Sequence, residues 1–218
     1  MEPGRPDATE KEKSENFKQG AAVGYSLILP PNWKRIPLRR KSDREAAVRD
    51  IVEKACGNLP KNFPRDLVTR YRLEIERRLS VGVKNARKSG GLDFYLPMME
   101  LGGTPIAASF VVGEVTSEVD PGKFIAAMAS GSGYKPAEVG EAPAMRREVV
   151  VGAEPEEEVE LASRRVDYVA AIPGNRARWL TISFSTMGGG DPSDELSDAT
   201  VSLFEAIVST FHWSTEAE

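Results

Sequence analysis

The chain has one cysteine, Cys56, and one histidine, His212. A single thiol excludes an intrachain disulfide, and two such residues cannot build a thiolate–imidazole metal cluster. The cysteine usage fits a reducing cytoplasm. A Ser/His/Asp or Cys/His nucleophile pair would have to use His212. That residue stands between Phe211 and Trp213, the setting of a packed or surface histidine. No run approaches the roughly 20 apolar residues of a membrane span. The first seven residues are polar and of mixed charge, without the apolar core of a signal peptide. Together these absences predict a cytoplasmic protein with no membrane partner. Neither a Gly-x-Gly-x-x-Gly spacing nor a phosphate-loop Lys-Ser/Thr is present. Gly188, Gly189, Gly190 and Asp191 precede a helix and read as a flexible turn. Glu154, Glu156, Glu157, Glu158 and Glu160 lack the alternation of a calcium loop and read as a solvated acidic loop. The expectation is therefore no catalytic, cofactor-binding or metal-binding residue: not an enzyme, and no cofactor.

What is present is a foldable chain of 218 residues, enough for one domain with a real core. Residues 1–20 are rich in Glu, Lys, Pro, Gly and Asp, which predicts a disordered tail. Residues 21–213 read as a single domain with a helical insert at about 42–90. The clearest stretch is 159–187. Val166, Tyr168, Ala170 and Ile172 alternate with Asp167, Val169 and Ala171, a strand with one face strongly buried. Pro173, Gly174 and Asn175 make a turn. Beyond it, Leu180, Ile182, Phe184 and Thr186 share one face, and Trp179, Thr181, Ser183 and Ser185 share the other. Ser193 is the expected N-cap of a helix with Leu196, Thr200, Leu203, Ile207 and Thr210 on its apolar stripe.

Earlier in the chain, residues 25–29 read as a first strand that Pro30 and Pro31 stop, with Trp33 packed over a sheet edge. Ser42 and Glu45 match a capping box for a helix running to about Gly57. Cys56 at its end reads as a small buried hydrophobe. A second helix runs from Pro64 to about Lys88, with Leu67, Tyr71, Ile75, Leu79 and Val83 as its apolar face. Strands follow at 92–99, 105–116 and 145–151, with a short helix from Pro121 through Met128. The links are short, so the sheet should be mostly antiparallel and flanked by helices: an α+β fold.

Charge is unevenly distributed. Residues 34–88 hold 17 Lys and Arg against 7 Asp and Glu, whereas residues 137–160 hold 8 Glu against 2 Arg. A basic segment can be an ordinary solvated helix surface, with pairs such as Glu74 and Arg78 four apart. It can also be a face for an acidic protein or a nucleic acid. The candidate contacts are Arg70, Arg72, Arg77, Arg78, Lys84, Arg87 and Lys88. Phe63 and Tyr71 are the segment's few aromatics, which weakens a single-strand nucleic-acid reading.

The run Leu27–Pro30 followed by Trp33 resembles the opening of Mog1/PsbP-like domains. Residues 165–168, Pro173-Gly174 and 180–186 resemble the central hairpin of actinobacterial members, and 204–211 their terminal helix. The likeness covers 25–33 and 145–213; residues 34–90 look like an enlarged insert. It implies an α/β/α sandwich around an antiparallel sheet. It also implies binding rather than catalysis, since members include a Ran-GTPase binder, a photosystem subunit and secretion-effector chaperones. The matching residues are core and turn residues, so the resemblance carries over no functional residue. The function expected is a non-enzymatic protein-binding module, an adaptor or chaperone-like accessory protein. The alternative is a nucleic-acid-associated protein using the basic helices.

Overall fold

The computed structural model describes residues 22–60, 62–101, 104–117, 119–131, 133–153, 161–175 and 177–215. In chain order the elements are β1 (Ala22–Ser26), β2 (Trp33–Pro37), α1 (Lys41–Gly57), α2 (Arg65–Lys88), β3 (Gly91–Pro97), β4 (Glu100–Leu101), β5 (Thr104–Pro105), β6 (Ala108–Thr116), α3 (Pro121–Gly131), β7 (Lys135–Val139), β8 (Ala142–Val151), β9 (Ser163–Ala171), β10 (Arg178–Thr186), α4 (Glu195–Ser209) and β11 (His212–Thr215). The expected tail and the acidic loop at 154–160 lie outside the described residues.

The hairpin β9–β10 forms as its alternation demands, with Ile182 opposite Tyr168 and Phe184 opposite Val166. Gly174 turns the chain at φ 75°, a conformation in which other residues are strained. The sheet grows from both sides of this hairpin into seven strands, ordered β2-β3-β6-β10-β9-β8-β7. Every neighbouring pair is antiparallel. The fold is thus the expected α+β arrangement, with helices on both sheet faces.

One face carries Phe110, Val112, Val166, Tyr168, Leu180, Ile182 and Phe184, packed under α4. Phe204 of α4 is fully buried there and stacks on Phe184 at 4.5 Å between ring centroids. Such aromatic pairs add about 0.5–1.5 kcal/mol beyond the area they bury. Glu148 accepts hydrogen bonds from Arg146 and Arg164, and these two arginines reach on to Glu205 and Asp198 of α4. Burial would raise the Glu148 carboxyl, but the bonds from Arg146 and Arg164 outweigh it and hold it below the usual range. A small second sheet, β1 with β11, closes the same side. Its Tyr25 stacks on Phe211 and donates to the buried Asp93 at 2.5 Å. Burial, then the neighbouring Tyr95 and Asp93, pushes the Tyr25 hydroxyl far above its ordinary range.

The opposite face carries a second core. Ile36, Leu38, Ile51, Val83 and Ala86 are buried together, with Leu79, Phe94, Leu96 and Val111 against them. Here α1 and α2 lie over β2 and β3. Further along, Phe124 of α3 covers Trp179 at 4.5 Å.

Several expectations are corrected. The first strand is Ala22–Ser26 rather than 25–29, and it pairs with β11 outside the main sheet. Trp33 is buried against Phe110, and it opens an unforeseen strand, β2. That strand carries Pro37 and two charges because it is an edge strand, where a missing N–H is tolerated. The other edge, β7, holds Pro136 and was missed for the same reason. The capping box does not form: Arg40 is the N-cap residue of α1, and the Ser42 hydroxyl donates to Asp43 within the first turn. Asp194, not Ser193, caps α4, accepting from the Ser197 amide at 2.6 Å and the Gly189 amide at 2.7 Å. Cys56 is half-buried.

Candidate partner-binding face

Two helices joined by a short turn must bury one stripe each, and the length of α2 limits how much it can bury here. At 1.5 Å per residue its 24 residues span about 36 Å. The seven residues of β3 beneath it rise only about 23 Å. The helix runs back along β3, with Gly91 against the Ala86 carbonyl and Gly82 against the Phe94 ring. From Phe94 to the end of β3 at Pro97 the strand rises about 10 Å, which about seven helical residues match. The half of α2 before Ile75 therefore overhangs the end of the sheet.

Burial follows this geometry. The buried residues of α2 are Val83 and Ala86, both in its C-terminal half. Leu67 and Tyr71, expected on the apolar face, are instead exposed at 39% and 42%. Ile75 and Leu79 are half-buried. The periodicity was sound, but the sheet ends before the stripe does. Phe63 at the turn is also exposed, as is Leu73 at 59%. The overhang thus presents apolar groups that a water-facing helix has no reason to carry in such number.

The candidate basic residues divide along the helix. Arg70, Arg72, Arg77 and Arg78 lie on or beside the overhang, while Lys84, Arg87 and Lys88 lie at its root, over the sheet. All are exposed except Arg72, which is half-buried. Arg70, Arg77 and Lys84 recur every seven residues, so they share one helical stripe, and Leu73 falls on it between the first two. Among the described residues Arg70, Arg72, Lys84, Arg87 and Lys88 form no ion pair. Arg77 and Arg78 both bond Glu74, at 3.1 Å and 2.5 Å. The Arg77 bond first, then the Arg78 bond, lowers the Glu74 carboxyl from 4.5 to about 2. One carboxylate against two guanidiniums leaves a positive surplus there.

The arrangement sets exposed apolar side chains among positive charges. Sequence reasoning singled out the arginines but did not place Phe63, Leu67 and Leu73 on the surface. Helix length set against strand length could have signalled them.

No protein-family model matches the chain, and no curated protein matches it. The Mog1/PsbP-like resemblance therefore stands on the residues alone. No helix among the described residues is long and apolar enough to cross a membrane. Among solved structures, the chain is similar to the crystal structure of LpqN, involved in cell envelope biogenesis of Mycobacterium tuberculosis. That likeness has a TM-score of 0.45 at 10% identity, over 90% of this chain and 87% of that one.

Proposed function

We propose that the protein is a non-enzymatic cytoplasmic binding module that captures an acidic protein on the overhanging half of α2. The observation that carries this reading is the exposure of Phe63, Leu67, Tyr71 and Leu73 beside Arg70 and Arg72, which form no ion pair among the described residues, and beside Arg77 and Arg78, which share the single carboxylate of Glu74. Interfaces of this kind favour aromatic and arginine anchors with steering charge around them. The resemblance to Mog1/PsbP-like domains points the same way, toward an adaptor or chaperone-like role. The test is native affinity purification with the unchanged chain and with Arg70→Glu/Arg77→Glu. A partner retained by the unchanged chain and lost by the folded variant is expected. A partner held equally by both overturns the assignment to this face.

A second reading rests on the stripe itself. Arg70, Arg77, Lys84 and Lys88 extend over roughly 27 Å of helix, a length suited to successive phosphates of a nucleic acid. Such binding weakens steeply with salt. An electrophoretic shift at low salt that vanishes near 200 mM supports it; no shift at low salt removes it.

A further inference from the structure

We propose that Arg147 and Arg165 form an oxyanion-binding site on the open part of the sheet, with Asp167 as their positioning residue. The site goes beyond the α2 face and is independent of it. It lies on the sheet face that carries α1, α2 and α3, where the strands turn polar. Ser183 of β10, Asp167 of β9 and Arg147 of β8 are directly opposite one another across three strands. Ser109, Ser185 and Arg165 form the next row. On the other face of the same strands Phe184, Ile182 and Val166 are fully buried. Here Ser109, Ser183, Ser185 and Arg147 are half-exposed and Arg165 is exposed. A half-exposed polar face in the middle of a sheet calls for an explanation.

The charges are held rather than loose. The Asp167 carboxylate is 3% exposed. It accepts from Ser183 Oγ at 2.8 Å, Arg165 Nε at 2.9 Å and Arg147 Nη2 at 3.1 Å. The Arg147 guanidinium lies over the Tyr134 ring, 4.8 Å from its centroid. Two guanidiniums thus share one carboxylate, and among the described residues one positive charge remains uncompensated. Each bond to Asp167 uses a single N–H, and each fork has five. Arg147 Nε is buried without a hydrogen-bond partner among the described residues. The side chains of Arg147 and Arg165 are 30% and 46% exposed, so an oxyanion would reach the N–H groups that the bonds to Asp167 leave over. Both forks are tied to the same carboxylate, and planar guanidinium forks match the geometry of carboxylate or phosphate oxygens. The serine hydroxyls beside them supply further donors.

The experiment is an NMR titration that follows the arginine Nε–Hε signals of the whole chain. Sodium phosphate and sodium acetate are added separately at constant ionic strength, with sodium chloride as reference. Saturable shifts at Arg147 and Arg165, with dissociation constants in the millimolar range, are expected for at least one anion. A preference for phosphate identifies a phosphoryl ligand, and a preference for acetate a carboxylate. Arg147→Lys keeps the charge but loses the fork, and Arg165→Gln loses the charge at an exposed position. Each should weaken binding tenfold or more. If Arg147→Lys disturbs the fold, Arg165→Gln decides. Shifts that rise linearly and match chloride, or binding unchanged in Arg165→Gln, overturn the proposal.

Discussion

Replacing Tyr71 by Ala and, separately, Ile51 by Ala tests whether the first half of α2 stands clear of the domain. Full burial of a large apolar side chain stabilises a protein by about 1.5–3 kcal/mol. Tyr71 is 42% exposed, so it realises roughly half of that, about 1–1.5 kcal/mol. Alanine returns about 0.5 kcal/mol through its better helix propensity. Tyr71→Ala should therefore cost about 0.5–1 kcal/mol, a drop in melting temperature of no more than about 4 °C for a chain of this size. Ile51 is 2% exposed, between the helix pair and the sheet. Its truncation leaves a cavity and should cost about 2–5 kcal/mol, lowering the midpoint by at least about 4 °C. Thermal melts followed by circular dichroism, with urea unfolding as a second measure, compare the two. Equal losses would refute the overhang, because Tyr71 would then be a core residue.

Phe204→Ala should cost about 3–5 kcal/mol by urea unfolding; a loss below about 1 kcal/mol would mean that the stack on Phe184 is not central to the core. Gly90 has φ 78°, and a Cβ there would sit 2.5 Å from the Glu114 carbonyl oxygen. Gly90→Ala should cost at least about 1–2 kcal/mol from backbone conformation alone, and a neutral result would show that the root of α2 takes another path. The Glu74 carboxyl is lowered in the folded state, so its contribution is fully present above the ordinary value near 4.5 and is lost as pH falls through about 2. Side-chain NMR should place its midpoint near 2; a value near 4.5 would show that Arg77 and Arg78 do not engage it.

Much of the fold was legible because the sheet's centre is locally consistent. In β9 and β10 alternation, β-branched content and turn chemistry agree, so residues 163–186 were readable without tertiary information. The edges were not. β2 and β7 are only five residues long and each carries a proline, so nothing in their own residues separates them from loop. Caps failed for a related reason: Ser42 and Ser193 each stand within two residues of the true boundary, and packing decides which of two polar neighbours ends the helix. The basic stripe of α2 was visible as composition. Its apolar partners were misassigned to the core because periodicity reports which side of a helix is apolar, not how far the support beneath it extends. The group around Asp167 gave almost no signal. Arg147, Asp167 and Ser183 are far apart in sequence, and only strand register places them side by side.

The pairing of β1 with β11 sets the order in which this chain can close. Ala22 lies opposite Thr215, so this contact spans nearly the whole described chain. Its loop-closure cost is among the largest a chain of this length can meet, and it grows with the logarithm of the loop. The two strands form a separate two-stranded sheet, which is marginal without a surface to rest on. That surface is supplied by Phe211, which follows α4, and by Asp93 and Tyr95 of β3. The clasp is therefore expected to close after the sheet has assembled and α4 has docked. In native-state hydrogen exchange its amides belong with the first to open, leaving the seven-stranded core intact beneath.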